Sequence, residues 1–175
     1  CAGGGGKALA LAALLGNRGE VLAVDPNADR LAELTPRRRR AGVDVIRSLP
    51  SELGSWPEAV ARFARRADRI LIDAPCSGVG SWRRRTDARW SLTPEGCAAM
   101  RATQAERLDR AIAHLRPGAR VVYATCTVFR DENEEQVEAA LARHPELEAV
   151  QLVEVLGRRV AGPICDATGT YLHLR

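Results

Sequence analysis

The chain has 175 residues, 46% hydrophobic and 27% charged with a net charge of +4, the balance of one soluble globular domain with room for a sizeable core. No apolar run approaches a membrane span, no secretory leader opens the sequence, and the five cysteines (1, 76, 97, 126 and 165) never form CxxC pairs. That pattern argues against a disulfide framework or a zinc site and predicts a protein of the reducing cytoplasm, with no metal and no membrane partner.

Taken in order, Cys1-Ala2-Gly3-Gly4-Gly5-Gly6-Lys7 is a glycine-rich turn opening a helix that runs to about Leu15. Such a turn brings backbone N–H groups close to a ligand carboxylate or phosphate. Residues 20–24 predict a buried strand with Asp25 at its end, at the interval where nucleoside-binding folds place an acid for ribose hydroxyls. Residues 27–41 predict a helix broken or kinked at Pro36, and residues 43–46 a strand containing Asp44. A turn-rich stretch over 48–57 precedes a short amphipathic helix over 58–66 and a strand over 69–72.

Thr93 then caps a helix with Pro94 in its first turn and a stripe of Ala98, Ala105, Leu108, Ile112 and Leu115, ended by Pro117-Gly118. A strand over 120–124 follows. Asp131 and Glu134 have the spacing of a capping box for a helix to Arg143. Residues 147–155 and 170–174 read as further strands. The alternation predicts a single, doubly wound α/β domain. Arginines cluster at 37–40, at 65–66 with 69, and at 83–85 with 89. Such clusters suit either a phosphate-rich partner or solvated helix faces.

Two strand ends carry thiols. Asp73 and Cys76 follow the strand over 69–72, and Cys126 follows the strand over 120–124. Open α/β sheets keep their ligand crevice at that edge. A lone cysteine is most often a small core hydrophobe, but Cys126 sits between Thr125 and Thr127, among hydroxyls. A thiol pair with an acid suits addition to an electron-poor ring. Thiolate adding to carbon-6 of a pyrimidine makes carbon-5 an enamine carbon able to attack an activated methyl group. The carbon-5 proton then leaves and the thiol is eliminated.

Asp73-Ala74-Pro75-Cys76-Ser77-Gly78, the following Arg83-Arg84-x-x-Asp87-x-x-Trp90, and Tyr123-Ala124-Thr125-Cys126-Thr127 with Glu132-Asn133-Glu134 resemble the Sun/RsmB-type RNA (cytosine-C5) methyltransferases. The opening Cys1–Lys7 loop is similar to that family's S-adenosylmethionine loop, Cys-Ala-Ala-Pro-Gly-Gly-Lys. The resemblance implies a Rossmann-like class I methyltransferase sheet, S-adenosyl-L-methionine as cofactor, and cytosine in RNA, expected to be ribosomal, as substrate. It implies Cys126 as nucleophile, Cys76 as the residue assisting product release, and Asp73 beside the cofactor and base. It also implies Asp25 on the cofactor ribose, and Cys1, Ala2, Gly3, Gly4, Gly5, Gly6 and Lys7 around the cofactor.

Gly3 and Gly4 stand where the family usually has alanine and proline, Thr86 replaces a proline, and no adenine-side acid is carried over. Measured against the family, residues 1–175 are expected to be a methyltransferase catalytic core truncated at both ends, lacking the first strand and the closing hairpin. The strands over 20–24 and 69–72 would then have unpaired edges and the isolated chain would be poorly stable. Two rival readings stay open. One is a DNA cytosine methyltransferase, in which Cys76 would be the nucleophile. The other is a non-catalytic nucleic-acid-binding protein on a methyltransferase-like fold.

Overall fold

Five-residue runs rich in valine, isoleucine and leucine become strands, and the alanine- and arginine-bearing stretches between them become helices. The computed structural model describes residues 1–51, 56–83, 86–87, 90 and 92–171. In chain order the elements are α1 (Gly6–Leu14), β1 (Val21–Asp25), α2 (Ala28–Ala32), α3 (Leu34–Arg40), β2 (Ile46–Pro50), α4 (Glu58–Ala64), β3 (Arg69–Asp73), α5 (Pro94–Ile112), β4 (Arg120–Ala124), α6 (Glu134–Arg143), α7 (Leu152–Leu156) and α8 (Arg158–Ala161). Single 3₁₀ turns lie at Val79–Ser81 and Arg130–Glu132.

The strands form two parallel ladders, β1 with β2 and β3 with β4. Val21 faces Ile46 and Asp25 faces Pro50 in one; Arg69 faces Arg120 and Asp73 faces Ala124 in the other. Among the described residues β1 pairs with β2 alone and β3 with β4 alone. The expected sheet is therefore present as two ladders. The chain divides into two compact units, 1–74 with 110–124 and 75–109 with 125–175.

The first unit holds all four strands. Its core is built on α1, β1, α2, α3 and β2 from Ala8, Ala12, Ala23, Leu31, Leu34 and Ile46. Ala8 and Ala12 are four apart, so one face of α1 is narrow enough to pack closely. Leu34 and Ile46 are each 1% exposed, and burying side chains of that size contributes about 1.5–3 kcal/mol apiece.

Three boundaries in this unit differ from expectation. The helix expected over 27–41 is two helices that break at Glu33, before Pro36. Pro36 is the third residue of α3, where a backbone N–H would have no intrahelical acceptor, so the ring is tolerated. The strand expected over 43–46 begins at Ile46. The Asn17 side chain takes the Asp44 N–H at 3.0 Å, which occupies that backbone before the ladder starts, and Asp44 itself is exposed. The turn-rich stretch expected over 48–57 is strand to Pro50, and residues 52–55 lie outside the described ones.

In the second unit Thr93 caps α5 as expected, its Oγ1 accepting the Gly96 N–H at 3.0 Å. The capping box at α6 does not form. Asp131 instead pairs with Arg101 at 2.9 Å, and the Asn133 amide donates to the Thr127 and Phe129 carbonyls at 3.2 and 2.8 Å. The strand expected over 147–155 is irregular up to the one-turn helix α7. Leu152, Val153, Val155 and Leu156 have the three-and-four spacing of a helical face, and Gly157 stops it at φ 76. Residues 170–171 belong to a turn rather than a strand, and 172–174 lie outside the described residues.

That turn is organised by Asp166, whose carboxylate accepts from the N–H groups of Thr168, Thr170 and Tyr171 and from the Thr168 hydroxyl at 2.6 Å. Burial works to raise the Asp166 carboxyl, but the Thr168 hydroxyl and these N–H groups bring it down to about 2 from an ordinary 3.8. A carboxyl that titrates lower folded than unfolded stabilises above the unfolded value and loses that contribution as pH falls. The turn is therefore expected to hold above pH 3.8 and to loosen as pH approaches 2. An NMR titration followed at the Thr168 and Tyr171 amides checks this; a midpoint at the ordinary value would mean that Asp166 does not hold the turn.

Candidate functional site

In the first unit the glycine-rich loop closes onto the end of β1. The Ala2 N–H donates to the Val24 carbonyl and the Gly5 N–H to the Ala2 carbonyl, each at 3.0 Å. Gly3 and Gly5 sit at φ 52 and 80, a region costly for any residue with a side chain. A Cβ on Gly5 would lie 2.3 Å from Leu34 Cδ1, so the loop can rest on the core only with glycine there. At Gly4, where the resembled family carries proline, a Cβ would lie 2.7 Å from the Glu33 carboxylate, the end of a flexible, half-exposed side chain that would have to shift. Glu33 and Arg37 pair at 3.1 Å, and Arg37 donates to the Gly4 carbonyl at 3.0 Å, a side-chain brace in place of a rigid ring. Beside Gly3 and Gly6 the space is open.

Asp25 is the last residue of β1 and is 6% exposed. One carboxylate oxygen accepts the Gly3 N–H and the other the Asn27 N–H, both at 2.9 Å. Burial works to raise the Asp25 carboxyl; the N–H groups of Asn27 and Gly3, with nearby positive charge that includes Arg30, hold it below the usual carboxylate value. The acid read from the sequence as a ribose ligand thus also organises the loop. Each carboxylate oxygen has a further lone pair available. Lys7, in the first turn of α1, pairs with Asp73 at the end of β3 at 2.6 Å.

The residues of this unit fit S-adenosylmethionine. The N-terminus of the nine-residue α1 suits a carboxylate, the open side of Gly3 and Gly6 gives backbone access, and Asp25 retains acceptor capacity for hydroxyls.

The second unit brings the two thiols together. Cys76 Sγ and Cys126 Sγ are 3.3 Å apart, and the Cys126 N–H donates to Cys76 Sγ at 3.3 Å. The two loops are also joined by the Gly80 N–H, which donates to the Cys126 carbonyl at 3.0 Å. A Cβ on Gly80 would come within 2.9 Å of that same oxygen. The environments differ. Cys126 is exposed and Cys76 half-buried. Burial pushes the Cys76 thiol up to about 11; the Cys126 N–H works against the rise and the Cys126 thiol adds to it. Cys76 is therefore a protonated thiol at neutral pH.

Beneath the thiols lies a buried polar cluster to which the sequence reading assigned no role. Glu132 is 1% and Gln104 0% exposed. Glu132 accepts from the Ser77 N–H at 2.9 Å, the Ser77 hydroxyl at 2.5 Å and the Gln104 amide at 3.1 Å. Gln104 was readable only as a polar residue on an apolar stripe, four positions before Leu108. Of the arginines offered as phosphate contacts, Arg83 is exposed, whereas Arg84, Arg85 and Arg89 lie outside the described residues. Among the described residues no helix is long and apolar enough to cross a membrane.

A family model described as 16S rRNA methyltransferase RsmB/F matches residues 1–161. Over 175 aligned residues the chain is 37% identical to ribosomal RNA small subunit methyltransferase F of Cronobacter sakazakii, covering 97% of this chain and 34% of that protein. It is 42% identical over 146 residues to the putative methyltransferase Rv1407 of Mycobacterium tuberculosis, covering 83% of this chain and 30% of that one. Among solved structures, PH0851 superposes with a TM-score of 0.76 at 32% identity, over 82% of this chain and 32% of the other. NSun6 from Pyrococcus horikoshii, solved with SFG, superposes with a TM-score of 0.66 at 29% identity, over 82% and 35% respectively. The chain spans about a third of the length of the curated relatives it matches.

Proposed function

We propose that this chain, which belongs to the 16S rRNA methyltransferase RsmB/F family, is a catalytic domain on a Rossmann-like fold that methylates carbon-5 of cytosine in RNA. Its substrate is ribosomal RNA, its cofactor S-adenosylmethionine, and its place the cytoplasm. The observation that carries the chemistry is the thiol pair, 3.3 Å apart and unequal in exposure. The SFG of the NSun6 structure, an analogue of S-adenosylmethionine, supports the choice of cofactor.

Cys126, the exposed thiol, adds to carbon-6 of the cytosine: the Sγ–C6 bond forms as the S–H bond breaks, and the proton passes to the ring nitrogen. Asp73 hydrogen-bonds the ring nitrogen and stabilises the adduct, which makes carbon-5 nucleophilic. Bound S-adenosylmethionine supplies the activated methyl group. The carbon-5 proton then passes to solvent water, its bond pair re-forms the C5–C6 double bond as the Sγ–C6 bond breaks, and the departing sulfur takes back the proton held at the ring nitrogen, returning Cys126. Cys76, held as a thiol, assists this elimination with its proton beside the leaving sulfur. On the cofactor side the loop from Cys1 to Lys7 presents its backbone, with Asp25 on the ribose hydroxyls. Arg83, with Arg84, Arg85 and Arg89, contacts phosphate.

Bisulfite sequencing of ribosomal RNA and genomic DNA from a strain lacking the gene, with and without complementation, tests the reading. The expected result is one ribosomal RNA cytosine that becomes convertible in the deletion and is protected again on complementation. A change confined to DNA would favour the DNA enzyme, and no change in either would favour a non-catalytic binder.

A further inference from the structure

We propose that Glu132 is a positioning residue whose buried carboxylate sets the spacing of the two thiols by tying the Cys76 loop to the Cys126 loop. The inference rests on the functional reading of that pair. Ser77 follows Cys76 and Thr127 follows Cys126, and the two side-chain oxygens meet at 2.8 Å. Ser77 has one hydroxyl proton, and it goes to Glu132 Oε2 at 2.5 Å. The Thr127 hydroxyl must therefore donate to Ser77 Oγ, while its own oxygen accepts the Phe129 N–H at 3.3 Å. A directed chain runs from the Cys126 loop through Thr127 and Ser77 to Glu132, and Glu132 Oε1 returns to the Ser77 backbone N–H at 2.9 Å.

Gln104 holds the far side. Its Nε2 donates to the Pro75 carbonyl at 2.8 Å and to Glu132 Oε1 at 3.1 Å. Both partners are acceptors, so the amide can sit only one way round, and its buried Oε1 is left without a partner. An orphaned buried acceptor is costly; the cluster tolerates it in order to keep two donors on the loop and the carboxylate. Below the thiols, Thr125 and Asn133 are bonded at 2.5 Å, which fixes the other flank of Cys126. In this network the carboxylate bonds to Ser77, beside Cys76, and through the Ser77 hydroxyl to Thr127, beside Cys126. It acts through their neighbours.

The test uses the intact protein, with dibromobimane as a thiol-bridging probe and peptide mapping to identify a Cys76–Cys126 cross-link. In Glu132→Ala the cross-linking rate and kcat are each expected to fall by roughly tenfold to a hundredfold, the scale on which small misplacements act. KM, cofactor affinity and far-UV circular dichroism should stay near wild type, and Glu132→Gln, which keeps one acceptor oxygen, should recover most of the cross-link. If Glu132→Ala loses its fold, Ser77→Ala breaks the same chain at one hydroxyl and should slow cross-linking in a folded protein. Wild-type cross-linking in a folded Glu132→Ala or Ser77→Ala protein would overturn the proposal. A cross-link that depends on Glu132 in a wild-type protein unable to methylate RNA would support the clamp and sink the functional reading.

Discussion

Cys126→Ala is expected to lose methyl transfer by roughly 10⁴–10⁶-fold, the scale of removing a covalent nucleophile, and to leave no protein–RNA species on a denaturing gel. Cys76→Ala is expected to lose turnover too, but with the opposite signature. Its Cys126 can still add to the base, so a covalent species should accumulate in the presence of RNA and S-adenosylmethionine. The difference follows from environment. Cys126 is exposed at its loop, whereas Cys76 is half-buried and its thiol is raised to about 11. A group protonated at neutral pH is suited to assisting elimination and poorly suited to opening the reaction. Cys97 and Cys165, in α5 and in the late turn, serve as controls whose alanine variants should retain activity. An adduct trapped in Cys126→Ala and absent in Cys76→Ala would make Cys76 the nucleophile, as the DNA-enzyme reading requires.

Asp25→Ala is expected to carry two losses at once. Removing the carboxylate leaves the Gly3 and Asn27 N–H groups without their acceptors, and each of these part-buried bonds contributes about 0.5–1.5 kcal/mol. Cofactor binding should weaken by roughly 1.5–3 kcal/mol if the same carboxylate takes the ribose hydroxyls, the range for hydrogen bonds to a charged group. Urea unfolding reports the first loss and calorimetry with S-adenosylmethionine the second. Asp25→Asn separates them, since an amide oxygen can still serve one N–H and preserve part of the loop. Undiminished cofactor affinity in Asp25→Asn would leave Asp25 as a loop organiser alone.

The thiol pair was legible because each cysteine closes a short β-rich run and is followed at once by hydroxyl or glycine residues, a local pattern. The strands ending at Asp25, Asp73 and Ala124 were legible for the same reason, within one position at either end. The failures come where partners distant in sequence decide. Asp131 and Glu134 have capping-box spacing, but Arg101 claims Asp131 and the Asn133 side chain turns back to the loop carbonyls. Gln104 looks like a flaw in an apolar stripe until Pro75 and Glu132 are placed against it. Asp25 is legible as a strand-end acid, but not as the residue that holds Gly3.

The thiols that meet in the second unit are 50 positions apart along the chain. Each parallel ladder of the first unit likewise joins strands separated by a helical crossover. Contacts of such long range are slow to form, because loop-closure entropy must be met before they can reward it. On a ribosome, Cys76 emerges well before Cys126, and the carboxylate of Glu132 later still. The thiol pair is therefore completed late: a nascent chain has the Cys76 thiol in the open, without its neighbour, until translation has passed residue 126. With Glu132 as the proposed clamp, a chain ending after Cys126 but short of Glu132 carries the glycine-rich loop and both cysteines but lacks the carboxylate that ties their loops together.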